Sequence, residues 1–154
     1  MLFNNAGVAV GGRFEDVPEA DFDWLMSINF WGVVRMTRAF LPMLRAADEA
    51  HITNISSLFG LVAPAGQTAY SASKFAVRGF SDSLRHELAG SSVGVTTVHP
   101  GGIKTSIAKN ARHAAGASAE ELAKGLEAFE KFLVMPPQQA AEIILRGVTH
   151  RRAR

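Results

Sequence analysis

The chain has 154 residues, 47% of them hydrophobic and 19% charged, with a formal net charge of +2. That composition suits one globular domain or part of one. The absence of cysteine excludes disulfides and thiolate metal centres and suits a reducing cytoplasm. No apolar run approaches the ~18 residues of a membrane span. Three arginines lie in the last four residues, so the basic balance predicts a solvated tail over 150–154, with no nucleic-acid partner.

Short apolar runs alternate with helical patterns along the chain, which predicts α/β architecture. Met1-Leu2-Phe3 is a first strand, ended by Asn4-Asn5 and too short for a signal peptide. A helix is expected to start near Pro18, a favourable first-turn residue, and to run towards Leu44. Phe22, Leu25, Ile28, Val33, Met36, Phe40 and Leu44 mark its buried face. Gly32 interrupts it just after Asn29, a place for a local distortion. Trp24 and Trp31 fall on roughly one helix face and suit core or subunit packing. His51–Ile55 is a second strand. The next helix carries Tyr70 and Lys74, continues through Val77, Phe80, Leu84 and Leu88, and stops near Gly90. Val93–Val98 is a third strand. Ser118 and Glu121 form a capping box for a helix bearing Leu122, Leu126, Phe129 and Leu133. After Pro136-Pro137, a last helix turns Ala141, Ile144, Leu145 and Val148 inward.

The chemistry concentrates at Tyr70-Ser71-Ala72-Ser73-Lys74, with Ser57 thirteen residues before the tyrosine. Tyr70 and Lys74 lie one helical turn apart on one face. A phenol with a pKa of about 10 is off by ~3 units as a proton carrier near neutrality. A cation ~4 Å away at an effective dielectric of ~20 contributes about 4 kcal/mol, enough to close that gap. Lys74 is therefore expected to lower the Tyr70 pKa, and Ser57 to hold a carbonyl oxygen. Ser56 is the alternative serine. Asn29 reads either as a helix-bending amide or as part of the same site. His86 and Glu87 sit on a charged helical face, and His99 suits a structural role. His51, His113 and His150 have no convergent partners, so no metal site is expected. Lys104, Lys109, Arg112 and His113 form a basic patch, either a solvated loop or part of a binding segment.

Four further motifs accompany this set: Asn4-Asn5-Ala6-Gly7, the helical Asn29, Asn54-Ile55-Ser56-Ser57, and Pro100-Gly101 with Thr105 four residues on. In this order and spacing, from Asn4 to Thr105, the chain resembles the short-chain dehydrogenase/reductase family. The resemblance implies a Rossmann-like, doubly wound parallel sheet. It implies NAD or NADP as cofactor and an alcohol/ketone pair as substrate. It makes Tyr70 the general acid or base and Ser57 the group that orients the substrate oxygen. Lys74 would also hold the nicotinamide ribose, and Asn29 would anchor a relay water. Asn5, Ala6 and Gly7 would pass the adenine side of the cofactor. Pro100, Gly101, Ile103 and Thr105 would contact nicotinamide and phosphate, and the segment after Thr105 would form a substrate lid.

The family also carries an N-terminal glycine-rich turn that admits the cofactor pyrophosphate to a helix N-terminus. Gly7 to Gly12 does not supply it, since Arg13-Phe14-Glu15-Asp16 comes next instead of an apolar helix. The expectation is an incomplete domain over 1–154, the catalytic half, with about three parallel strands and helices on both faces. Such a chain alone should bind the cofactor weakly. Both sheet edges should be unpaired and prone to association, whereas a complete protein would form a dimer or tetramer. The competing expectation is a non-catalytic fragment, or a subunit that needs a separately encoded nucleotide-binding half.

Overall fold

The computed structural model describes residues 1–114 and 119–154. Its strands are β1 (Leu2–Asn4), β2 (Val10–Gly11), β3 (Ala50–Ile55), β4 (Val93–Val98) and β5 (Arg112–His113). Three of them form a parallel sheet in the order β1-β3-β4, and β2 pairs with β5 in a separate small sheet. Between β2 and β4 run α1 (Glu19–Met26), α2 (Gly32–Arg45) and α3 (Thr68–Glu87), with β3 between the last two. After β5 come α4 (Ala119–Glu130) and α5 (Pro137–Thr149). The expected three parallel strands with covering helices are all present. The Ser118–Glu121 capping box lies outside the described residues. Among the described residues no helix is long and apolar enough to cross a membrane.

Ala50 and Ile52 of β3 and Val93 and Val95 of β4 point to one face and pack with Leu44, Leu84 and Leu88 of the α2 and α3 region. This two-residue alternation makes the same-face row continue into Asn54, Asn4 and Thr97, which share the register. Three buried polar side chains in a core would be costly if unsatisfied. Two are satisfied by each other and by the helices. Asn4 Nδ2 donates to Asn54 Oδ1 at 2.7 Å and to Thr37 Oγ1 at 3.2 Å. Asn54 Nδ2 donates to Ser81 Oγ at 2.8 Å, and Ser81 Oγ donates in turn to Val77 O. The end of β1 is thereby fixed to α2 and α3 by side chains as well as by the ladder.

The first long helix differs from the sequence expectation. Pro18 is its N-cap, with extended backbone, and residues 27–31 form a π turn in which Gly32 N–H reaches back five residues to Ser27 O. A π turn adds one residue per turn and rotates every later position about the axis. The inward line therefore passes from Leu25 and Asn29 to Val33, Thr37 and Leu44, while Met36 and Phe40 are exposed. Trp24 and Trp31 do not share a face for the same reason: Trp24 packs inward and Trp31 is 48% exposed. Gly32 is not required sterically, since a Cβ there would meet only Ser27 O at 3.8 Å.

Two further expectations are corrected downstream. In α5 the inward line is Ala140, Ile144 and Val148, so Ala141 and Leu145 stand one position round and are exposed. The tail is not merely solvated. Ala153 O accepts from Thr97 N at 3.0 Å, Arg152 O accepts from Thr96 Oγ1, and Arg154 pairs with Asp82 at 2.9 Å. The outer edge of β4 is thus partly covered, and the open edge among the described residues is that of β1.

His51 lies opposite Gly94 in the ladder, and its ring occupies the space a Cβ at Gly94 would need, 2.5 Å from Nδ1. Burial, then the nearby Arg151, hold its pKa below the ordinary histidine value. Above about pH 6.5 the ring is neutral in both folded and unfolded chains. As pH falls below that, the unfolded chain takes the proton first and stability is lost. Stability by denaturant titration should therefore decline from pH 7 to 5, and His51→Gln should flatten that decline. An unchanged slope in the variant would remove His51 as the cause.

Candidate active site

Helix α3 sets Tyr70 and Lys74 on one face, one turn apart, with Lys74 Nζ 5.6 Å from the Tyr70 ring centroid. Lys74 is 3% exposed, and its ammonium donates to Ile55 O at 3.1 Å. No carboxylate pairs with it among the described residues. Desolvation therefore lowers its pKa to about 8. Tyr70 moves the opposite way: burial raises its pKa, and the Ser57 hydroxyl beside the phenol partly offsets this. A group that loses its proton near 8 is neutral before such a phenol ionises. The expected lowering of Tyr70 by Lys74 is thus not realised here, because the two groups are desolvated together.

Asn29 is 1% exposed at the centre of the π turn. Its Oδ1 accepts from Val8 N at 2.9 Å, and its Nδ2 donates to Val8 O at 3.0 Å and to Ser73 Oγ at 3.1 Å. Ser73 Oγ in turn donates to Tyr70 O at 2.8 Å. The amide therefore clasps the segment after Asn5-Ala6-Gly7 and ties it to the first turns of α3. Gly7 faces this junction: a Cβ there would sit 3.4 Å from both Asn29 Oδ1 and Lys74 Nζ. Asn5 and Ala6 are exposed on the same loop. Ser73 escaped the sequence reading, although a serine inside a helix three residues after Tyr70 is a known backbone-bonding pattern.

The two candidate serines separate cleanly. Ser56 is buried and donates to Lys74 O at 2.9 Å, which makes it a tether between β3 and α3. Ser57 faces the phenol, and its Oγ also accepts from Phe59 N at 3.1 Å. The short turn after it, Leu58–Gly60, presses on α3. A Cβ at Gly60 would meet Ser56 Oγ at 2.2 Å and Lys74 O at 2.9 Å. Gly60→Ala should therefore push the Ser57 turn off α3 and cost about 1–3 kcal/mol of stability by denaturant melt. A variant as stable as the parent would show that the turn can yield without cost. His99 stands behind the same turn, where its Nδ1 donates to Ser57 O at 3.2 Å.

The loop after β4 continues beside the Ser57 turn, with Leu58 N bonded to Pro100 O at 2.8 Å. Gly101 lies against Leu58, where a Cβ would be 3.4 Å away. Ile103 bridges to Met135, and Thr105 lines a cavity of about 370 Å³ with Lys104, Lys109 and Glu130. The basic patch expected here is largely neutralised: Lys109 pairs with Glu130 at 3.1 Å and Arg112 with Asp21 at 2.6 Å. The structure thus gathers Gly7, Asn29, Ser57, Tyr70 and Lys74 in one place, and Pro100 and Gly101 adjoin it through the Ser57–Leu58 turn. Ile103 and Thr105 lie further along the same loop.

A parallel sheet ending in an amide-clasped Asn-Ala-Gly loop, with Ser57 just after β3 and Tyr70 and Lys74 on α3 beside it, is the architecture of an incomplete dinucleotide-binding fold. Residues 1–116 match the family described as "short chain dehydrogenase", and the chain belongs to that family. It is 47% identical over its full length to the "Putative oxidoreductase SadH" of Mycobacterium tuberculosis and spans 56% of that protein. It is 42% identical over 71% of its length to the 3-ketodihydrosphingosine reductase of Bacteroides thetaiotaomicron, of which it covers 41%. A Burkholderia phymatum short-chain dehydrogenase/reductase solved with NAD superposes with a TM-score of 0.87 at 31% identity, covering 98% of this chain and 58% of that one. The closed form of a serine dehydrogenase complexed with NADP+ superposes at 0.83 and 32% identity, covering 96% and 58%. The chain thus spans roughly half the length of these proteins.

Proposed function

We propose that the chain carries the proton-transfer half of a nicotinamide-dependent oxidoreductase that interconverts an alcohol and a ketone. The observation that carries this reading is the pairing at Tyr70: a desolvated phenol beside the Ser57 hydroxyl, with a buried lysine that lacks an acidic partner among the described residues. Tyr70 delivers or removes the proton of the substrate C–O group, and Ser57 holds that oxygen. Asn29 acts by position, since its amide is committed to Val8 and Ser73; anchoring a relay water would fall to its backbone.

The residues present fit a nicotinamide cofactor of the NAD or NADP kind. The Lys74 ammonium, satisfied by Ile55 O alone among the described residues, suits a pair of sugar hydroxyls, and the missing side chain at Gly7 leaves the approach to the Lys74 Nζ clear of a Cβ that would stand 3.4 Å away. Asn5, Ala6 and Gly7 would pass its adenine side, and Pro100, Gly101, Ile103 and Thr105 its nicotinamide and phosphate side. When bound, the cofactor supplies the hydride. Hydroxyls at Nζ would replace lost hydration, favour the ammonium, and so allow it to favour the Tyr70 phenolate.

The test is a chimera in which this chain replaces the corresponding region of the Mycobacterium tuberculosis relative. Turnover of a ketone panel, followed by nicotinamide absorbance, is expected. A chimera that binds NADH or NADPH yet reduces no ketone would favour the non-catalytic reading. A homo-oligomer is also proposed. The outer surface of α2 and α3 holds an apolar groove at Val34, Leu41 and Phe80, flanked by exposed Met36, Phe40 and Met43.

A further inference from the structure

The small β2–β5 sheet has no counterpart in the sequence reading. Its two strands are parallel, in the register Val10↔Arg112 and Gly11↔His113. Arg112 N donates to Ala9 O at 3.0 Å, and Ala114 N donates to Gly11 O at 2.9 Å. Gly12 has φ +148, and a Cβ there would lie 2.3 Å from the Ala114 Cβ, so the fit of residue 114 depends on glycine. The base of the same segment is closed separately: Val134 N and Met135 N both bond to Gly102 O, at 2.8 and 3.0 Å.

Two residues of parallel ladder are a weak attachment on their own. One side chain reinforces them. The Arg112 guanidinium carbon lies 3.7 Å from the Trp24 ring centroid, and Nη1 donates to Asp21 Oδ1 at 2.6 Å. Stacking and ion pair together need the planar fork of arginine. Trp24 belongs to the cluster of Val10, Leu25 and Ala69 against which Tyr70 also packs. The guanidinium therefore closes a path from the loop after Gly101 to the wall behind Tyr70.

We propose that Arg112 is a positioning residue for the reaction assigned to Tyr70. By clamping segment 103–114 to α1 and β2, it fixes the separation of the two walls of the cleft, Gly7–Gly12 on one side and Pro100–Ala114 on the other. It does not touch the reacting atoms. Its loss loosens enclosure of the substrate and leaves the proton-transfer set in place. The proposal rests on the oxidoreductase reading for its kinetic consequence and on geometry alone for the clamp.

Two measurements keep these apart. Amide hydrogen exchange on the chain itself reads the clamp. Arg112→Ala should speed exchange at Arg112 and Ala114 by about tenfold while β3 and β4 amides stay unchanged. Arg112→Lys and Asp21→Asn should give intermediate increases. In the chimera, Arg112→Ala should raise KM about tenfold with kcat within about threefold, and Arg112→Lys should restore part of the loss. Unchanged exchange at positions 112 and 114 in the Arg112→Ala variant would overturn the clamp. A fall in kcat at constant KM would overturn the positioning role. Failure of the chimera to depend on Tyr70 would overturn the oxidoreductase reading and leave the exchange result standing.

Discussion

Tyr70→Phe in the chimera should lower kcat at least ~100-fold with KM little changed. The substitution keeps the ring, its edge-to-face contact with Phe59 at 6.1 Å and its packing on the Val10 cluster. It removes only the oxygen that faces Ser57. A proton carrier placed on the reacting oxygen contributes typically 10²–10⁴ in rate, and an interaction made chiefly in the transition state appears in kcat. Stability should hold within about 1 kcal/mol, because the hydroxyl is paired with a small side chain at the cleft wall. A Tyr70→Phe chimera that kept more than about a third of the parental kcat would remove Tyr70 from the mechanism.

Lys74→Met should separate stability from activity more sharply. The lysine is 3% exposed, and its pKa falls from 10.5 to about 8. Holding that charge in the fold costs about 3 kcal/mol at neutral pH. Above pH 10.5 the amine is neutral in both states and the penalty vanishes. As pH falls from 10.5 to about 8, the unfolded chain binds the proton first and stability drops. Below that the full penalty remains. Methionine matches the stem, carries no charge and leaves only Ile55 O without its donor, a loss of about 1 kcal/mol. The variant should therefore gain about 2 kcal/mol at pH 7, with the gain shrinking as the lysine of the parent deprotonates in both states. It should also lose cofactor affinity and nearly all turnover. Denaturant melts at pH 7 and 10, with calorimetric cofactor titration of the chimera, check this. A variant less stable than the parent at pH 7 would show that the ammonium is better solvated than its burial implies. The same trade of stability for function is general among enzyme sites that hold unpaired charge.

The strands and the grouping of the candidate site residues were legible because each rests on short-range pattern. Three apolar runs bounded by polar breaks became β1, β3 and β4, and the spacing of Ser57, Tyr70 and Lys74 reflects one strand end and one helix. Features set by tertiary environment were not legible. Burial decides the pKa directions at Tyr70 and Lys74, and spacing carries no measure of burial. Two-residue strands such as Val10–Gly11 and Arg112–His113 have no period to detect. The role of Asn4 was hidden because its partners, Asn54 and Thr37, are brought to it only by sheet register and helix docking. Met36 and Phe40 were placed inward by an unbroken helical count that the structure does not keep.

That broken count gives the long helix an adjustable phase. The extra residue between Ser27 and Trp31 acts like an inserted letter, and every position after it reads one frame later. A deletion of one residue within 27–31 should close the turn into regular α-helix and leave the later phase as it is, with Thr37 inward and Met36 and Phe40 outward. A one-residue insertion between Gly32 and Arg35, with no wide turn to absorb it, should instead carry Met36 to the place of Thr37, and Asn4 would then lose its threonine partner. The wide turn is thus a reservoir for one residue of length, whereas an addition beyond it is a discrete switch of surface identity that single substitutions along α2 cannot reproduce.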